Sequence, residues 1–258
     1  MSVAERILLL LSRPADERDY SSGVAEHNQD DALSLLKRVY PNFGSIVSGK
    51  RVVDFGCGDG NQAIALVREY DCSVVGIDSN TATLARAEEN MIKHDVPSRR
   101  LSFVEAVSPE MRGTFDVVIS QNSFEHFPDP QAVLHQMGSL LNSSGLLLIT
   151  FGPPWFAPYG SHMHFFCKVP WINVIFPEKA VMRARSQFRN DGATTYEEVE
   201  SGLNKMTMGK FESLISSCNL KITHRKYECV KGINWLSKIP LVRELFINHV
   251  TVILSKAA

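Results

Sequence analysis

Glycine recurs at every second position in Asp54-Phe55-Gly56-Cys57-Gly58-Asp59-Gly60, directly after the apolar pair Val52-Val53 and directly before a stretch that opens at Asn61. That stretch carries Ile64, Val67 and Tyr70 at three-residue spacing, so it reads as a helix turning one face to a sheet. A buried strand therefore enters a glycine turn and leaves as a helix. Glycines let a backbone approach a ligand closely, and the first turn of a helix offers unpaired N–H groups to a carboxylate or phosphate. Few architectures begin this way, and all of them are α/β.

The rest of the chain keeps that alternation. Strands are expected at Arg51–Phe55, Ser73–Asp78, Leu101–Glu105, Phe115–Ser120 and Leu146–Phe151, then at Leu220–Tyr227 and His249–Leu254. Helices fall between them. One carries Leu84, Ala87 and Met91. Another opens at Asp129-Pro130, an N-cap acceptor before a proline at the first helical position, and runs through Val133, Leu134, Met137, Leu140 and Leu141. Strands alternating with amphipathic helices give a mostly parallel sheet covered on both faces. The rhythm stops between 152 and 206, where prolines, glycines and aromatics precede a charged stretch. A structureless loop of that length is uncommon, so the segment is expected to fold as a cap. It separates a core at 50–151 from a completion of the same sheet at 207–258, whose first helix carries Phe211, Leu214, Ile215 and Cys218. Residues 1–49, with a helix expected at Asp31–Tyr40, precede the first strand.

Composition excludes more than it selects. A formal net charge of −1 provides no field to recruit nucleic acid, and no apolar run reaches the length of a membrane span. Peripheral contact with a membrane stays open. The five cysteines form no ligand set and no CxxC, which fits reduced thiols in a cytoplasmic protein.

The acid at Asp78 ends the second strand, where it can accept both hydroxyls of a ribose. A nicotinamide enzyme also places an acid there, but its fingerprint reads G-x-G-x-x-G, not the G-x-G-x-G found here. Jointly, Asp54-Phe-Gly56-Cys-Gly58-Asp-Gly60, Val75-Gly-Ile-Asp78, Phe103-Val-Glu105-Ala106, Phe115-Asp-Val-Val-Ile-Ser120, Phe124-Glu-His126-Phe-Pro-Asp-Pro130 and Gly145-Leu-Leu-Leu-Ile149 resemble, in order, the motifs of class I S-adenosylmethionine-dependent methyltransferases, in the branch that includes quinone-biosynthesis enzymes. The resemblance covers roughly residues 45–152. It implies a Rossmann-like seven-strand sheet of order 3-2-1-4-5-7-6 with the last strand antiparallel, and S-adenosylmethionine as cofactor. It assigns the methionine part of that cofactor to Gly56, Cys57, Gly58 and Gly60, its ammonium to Asp54, its ribose to Asp78 beside Ser79, and its adenine to Glu105 and Ala106, with Gln121 at the end of the fourth strand nearby. The fourth strand ends Ser120-Gln121-Asn122-Ser123 rather than Asn-Pro-Pro-Tyr, which speaks against a planar amide or amino acceptor.

The acceptor side is expected in the cap. Phe151, Trp155, Phe156, Tyr159, Phe165, Phe166, Trp171 and Phe176 crowd its start, and they serve either as the lining of an acceptor pocket, with Trp155 and Tyr159 foremost, or as the cap's own core. The architecture places His126 opposite the methyl group. His162 and His164, at a spacing of two in the cap, share a face if that segment is extended. These three histidines are the candidate bases, and their spacing supports no metal site. Lys179, Arg183, Arg185 and Arg189 form either a site for an anionic acceptor or a solvated face balanced by Glu197, Glu198 and Glu200. The expected reaction is methyl transfer to a small molecule such as a sugar or a natural-product intermediate. The competing readings are a catalytically silent cofactor-binding regulator and a nicotinamide oxidoreductase. Oligomeric state leaves no mark in the sequence.

Overall fold

The computed structural model describes residues 1–12, 32–199, 202–240 and 242–257. Its centre is a seven-stranded sheet, β1 (Arg51–Phe55), β2 (Ser73–Ile77), β3 (Leu101–Val104), β4 (Phe115–Gln121), β5 (Leu141–Phe151), β6 (Leu220–Cys229) and β7 (Ile247–Lys256), in the order β3-β2-β1-β4-β5-β7-β6. The first five strands are parallel and β7 runs antiparallel to both neighbours. This is the Rossmann-like order and direction expected above.

Alternation along each strand explains the two layers of core. In β5, Leu147, Ile149 and Phe151 face one side while Leu148 faces the other, and all are fully buried. The first side packs against α6 (Pro130–Leu140) and α9 (Met208–Ser217) through Leu134, Met137, Leu140, Phe211 and Ile215. The second packs against α2 (Ser34–Val39), α3 (Phe43–Val47) and α4 (Asn61–Glu69). There Tyr40 is buried and its hydroxyl donates to the Val252 carbonyl at 3.2 Å. Between β2 and β3 runs α5 (Thr81–Lys93), whose Asn80 side chain accepts from the N–H groups of Ala82 and Thr83. Asp129 caps α6 through the Ala132 N–H at 3.0 Å, with Pro130 at its first position. Of the helix expected at Asp31–Tyr40, α2 is the ordered part described, and Asp31 lies outside the described residues.

One boundary moves. Leu141 was expected to extend the α6 stripe, yet α6 stops at Leu140 and Leu141 pairs with Phe115 at the start of β5. The turn at 142–145 survives inside that strand as an irregularity, because the Asn142 side chain accepts the Ser144 N–H and donates to Asp116.

Beyond β5 the chain leaves the sheet. Its described part contains α7 (Ile172–Ile175), α8 (Glu178–Arg185) and a 3-10 turn at Tyr196–Glu198. A third core gathers here, around Phe166, Ile172, Val181, Met182 and Tyr196, and it recruits Leu8 from α1 (Val3–Leu11) at the other end of the sequence. The segment closes at its base, where the Trp155 N–H donates to the Met206 carbonyl. No helix among the described residues is long and apolar enough to cross a membrane.

Candidate active site

The carboxyl edge of the parallel strands gathers the motif residues. Gly56, Gly58 and Gly60 all adopt positive φ, which L side chains rarely tolerate. Their surroundings differ. A Cβ at Gly60 would lie 2.6 Å from the Phe103 ring and one at Gly56 would lie 2.9 Å from Ser123 Oγ, so both serve packing. A Cβ at Gly58 would meet nothing within 4 Å. The middle of the turn thus faces open space, with its backbone bare toward it.

Two carboxylates flank that turn. Asp78 lies one residue past β2, and its Oδ2 accepts the Gly58 N–H at 2.9 Å while Oδ1 accepts the Asn80 N–H at 2.9 Å. The loop thereby fixes the acid's orientation and leaves each oxygen a lone pair. Asp54 is 2% exposed. Gln62 donates to its Oδ1 at 2.6 Å, and its Oδ2 has no hydrogen-bond partner among the described residues. Burial pushes this carboxyl up to about 7, opposed by the Gln62 hydrogen bond and aided by the Asp78 charge. A buried carboxylate oxygen without a donor is costly unless a ligand supplies one. An ammonium beside Oδ2 would supply it, and a ribose would suit Asp78, so the residues present fit S-adenosylmethionine.

The remaining cofactor candidates fall where the strands place them. Cys57 is buried, and burial raises its thiol pKa well above the usual range, so it packs rather than reacts. Ser79, Glu105 and Ala106 are exposed at the ends of β2 and β3. Asp54 is in register with Ile119, which sets Gln121 two residues farther toward the same edge, with a buried Oε1 lacking a protein partner among the described residues.

The histidines separate. His126 ends a 3-10 turn, Phe124–His126, in the loop that abuts Gly56 through Ser123 and Phe127. Its Nδ1 lies 2.7 Å from the Gly202 carbonyl. A carbonyl only accepts, so Nδ1 carries the hydrogen and Nε2 of the neutral ring keeps its lone pair. His162 stands edge-on to it, ring centroids 5.5 Å apart. Burial, then the neighbouring His126, lower the His162 pKa to about 4, so it is neutral at ordinary pH. His164 does not join them. The expectation of a shared face required extended backbone, but His162 has φ +56° and its N–H closes a turn on the Tyr159 carbonyl. His164 is exposed, its ring 4.8 Å from that of half-buried Tyr159.

Several contributors were not legible as such. Glu125 lies inside a quoted motif, yet nothing in the sequence marks it as buried. Its Oε1 accepts the Gly152 N–H at 3.1 Å, and its Oε2 has no partner among the described residues. Burial raises its pKa and His126 partly offsets this. Glu125 and His162 line a void of about 10 Å³, the room one water needs, together with Trp155 and Lys205. Asn204 straps the whole loop. Its side chain donates to the Phe124 and Phe127 carbonyls at 2.9 Å each, and its N–H donates to the Glu125 carbonyl at 3.0 Å.

The aromatic segment serves more than one purpose. Phe151 belongs to the sheet core and Phe166 to the third core. Trp155 is set edge-on to Tyr196 at 4.8 Å under the Lys205 ammonium, and it also lines the small void. The basic residues are tied down singly. Arg183 pairs with Glu5, Arg185 forms a two-pronged bridge to Asp191 at 2.6 and 2.5 Å, and Arg189 lies over the Phe165 ring. Their partners are Glu5 and Asp191, not the acids at 197–200.

A methyltransferase-domain family model matches residues 24–193. A ubiquinone biosynthesis O-methyltransferase of Azotobacter vinelandii is 39% identical over 102 residues, which is 38% of this chain and 43% of that protein. A 27-O-demethylrifamycin SV methyltransferase of Amycolatopsis mediterranei is 33% identical over 104 residues, 40% of this chain and 38% of that one. The chain therefore spans less than half the length of these relatives. Among solved structures, an S-adenosylmethionine dependent methyltransferase from Mesorhizobium loti matches with a TM-score of 0.56 at 17% identity, covering 88% of this chain and 99% of its own. A geranyl diphosphate methyltransferase solved with GPP and sinefungin matches at 0.57 and 14% identity, covering 88% and 76%. These two share the fold. The family match runs through the glycine turn, both carboxylates and the His126 loop, and with it the chain belongs to the class I S-adenosylmethionine-dependent methyltransferase family.

Proposed function

We propose that this protein transfers a methyl group from S-adenosylmethionine to an oxygen of a small-molecule acceptor, with His126 as the base. The observation that carries the reading is the hydrogen bond from His126 Nδ1–H to the Gly202 carbonyl, which leaves Nε2 as acceptor in the loop packed against the cofactor turn. The names of both relatives quoted above, which speak of O-methylation of small molecules, support an oxygen acceptor.

When bound, the cofactor supplies an electrophilic methyl on a sulfonium leaving group. The chain's residues bind and orient. In this reading Asp54 holds the ammonium at Oδ2, the bare backbone at Gly58 lies along the methionine, Asp78 takes the ribose and the exposed Glu105 and Ala106 meet the adenine. His126 Nε2 accepts the hydroxyl proton of the acceptor as the new carbon–oxygen bond forms, and alignment supplies the rest of the acceleration. Neutral His162 packs beside His126 without adding charge, and with Trp155 it lines the acceptor's inner wall.

The test is formation of S-adenosylhomocysteine from the purified protein with fractionated small-molecule extract. His126→Ala should cut turnover by about 10²–10⁴-fold, the usual range for general-base catalysis, while calorimetric affinity for the cofactor stays unchanged. Turnover within about threefold of wild type removes His126 from the mechanism. Cofactor binding without turnover on any fraction leaves a silent binding protein instead.

A further inference from the structure

Two segments leave the carboxyl edge of the sheet on the side of β6 and carry no acidic residue: 152–177 after β5, and 229–243 between β6 and β7. They meet where the Trp171 ring stands edge-on to Phe246 of α10 (Arg243–Phe246) at 6.3 Å. Around that junction the chain exposes large apolar side chains that neither segment buries. Val174 and Ile175 on α7 are 49% and 61% exposed. Ile233, Trp235 and Ile239, on and beside the 3-10 turn Asn234–Lys238, are 37%, 63% and 38% exposed. Lys231 and Lys238 are exposed among them.

Scattered single apolar residues on a surface need no explanation, but a cluster rimmed by one sign of charge does. The chain as a whole is nearly neutral, with a formal charge of −1. The absence of acids here is therefore local. A half-exposed tryptophan, aliphatic tips on short irregular turns and lysines at the rim are what the boundary between headgroups and acyl chains accepts. Tryptophan settles at that depth, aliphatics insert and each lysine is attracted by anionic headgroups. A second copy of the same face would set lysine against lysine.

We infer that this face docks on an anionic lipid surface, with Trp235, Ile239, Val174 and Ile175 inserted to headgroup depth and Lys231 and Lys238 on the phosphates. The docking brings the same edge that carries the glycine turn toward the bilayer, and it needs no catalysis to be observed.

The experiment is flotation of the purified protein with vesicles of phosphatidylcholine alone and with about one third phosphatidylglycerol, at low and high salt, the attraction decaying over roughly 8–10 Å at physiological ionic strength. Binding to the anionic vesicles only, weakened by salt, is expected. Lys231→Glu with Lys238→Glu should weaken it by about tenfold or more, the scale of losing and reversing two charges near the surface. Trp235→Ser with Ile239→Ser should abolish retention at any salt. All four positions are exposed, and unchanged melting temperatures would show that the variants fold. No flotation with either vesicle overturns the inference, as does flotation that both double variants retain. Self-association that Trp235→Ser with Ile239→Ser removes, without vesicle binding, reassigns the face to a contact between copies.

Discussion

Asp54 is shaped by two opposing requirements. Its burial at 2% exposure raises the carboxyl to about 7, while its unpartnered Oδ2 suits a cation. Near neutral pH the empty site therefore holds a mixture of protonated and ionised Asp54, and an ammonium selects the ionised form. Cofactor binding should release a fraction of a proton at pH 7, and affinity should fall by up to about tenfold per unit as pH drops below 7. Calorimetry in buffers of different ionisation enthalpy reads this directly, and a binding enthalpy independent of buffer contradicts the assignment. Stability should move the other way. A carboxyl raised in the folded state binds more protons there than in the unfolded chain between about 4 and 7, so stability is lost as pH rises through that window. Asp54→Asn should then bind the cofactor worse yet resist denaturant better above pH 7, by roughly 1–4 kcal/mol. His162 has the opposite dependence. With its pKa lowered to about 4, the unfolded chain binds the extra proton between 4 and 6.5, so this residue withdraws stability as pH falls through that range. His162→Gln should flatten the acid limb of a melting-temperature profile, and an unchanged limb would place the lost stability elsewhere.

At the scale of elements, what the sequence reveals follows from range. β1, α4 and the glycine turn are written in adjacent residues, and periods of two and near four announce them locally. The order of strands came from matching a whole series of motifs, since no single strand states its neighbour. Where a boundary was misplaced, competing local signals explain it: Leu141 continues the apolar stripe of α6, but Asn142 bonds to Asp116 of β4 and draws the chain into the sheet. The strap at Asn204 was illegible because its partners are Phe124 and Phe127, eighty and seventy-seven residues away. Histidine spacing misled at His164 because two-residue periodicity presumes a strand, and the segment turns at His162. The strap makes its own prediction. Asn204→Ala leaves two loop carbonyls without a donor, which should lower stability by about 1–3 kcal/mol. It also loosens the loop that aims His126, so turnover should fall while cofactor affinity holds. Loss of stability with unchanged turnover would mean that the loop keeps its shape without the strap.

Across the whole molecule, three cores divide the work. Two cover the faces of the sheet, and the third holds the segment beyond β5 together with α1. Leu8 is fully buried in that third core, and Glu5 of the same helix pairs with Arg183 of α8, 178 residues along the chain. The N-terminal helix is thus a piece of the element that carries Trp155 and His162, although the cofactor residues separate them in sequence. Closing so long a loop is entropically unfavourable, and a small core must offset it. Leu8→Ala should remove about 2–5 kcal/mol from that core, as large-to-small changes at buried leucines do. Because the sheet's cores do not include Leu8, the loss should appear as local opening. Amide exchange in α8 and around Tyr196 should accelerate while β1 and β4 keep their protection. Acceptor use should suffer before cofactor affinity, since Asp54 and Asp78 belong to the sheet. A single cooperative transition, with β1 and α8 losing protection together, would show instead that the three cores unfold as one unit and that the acceptor side has no independent mobility to exploit.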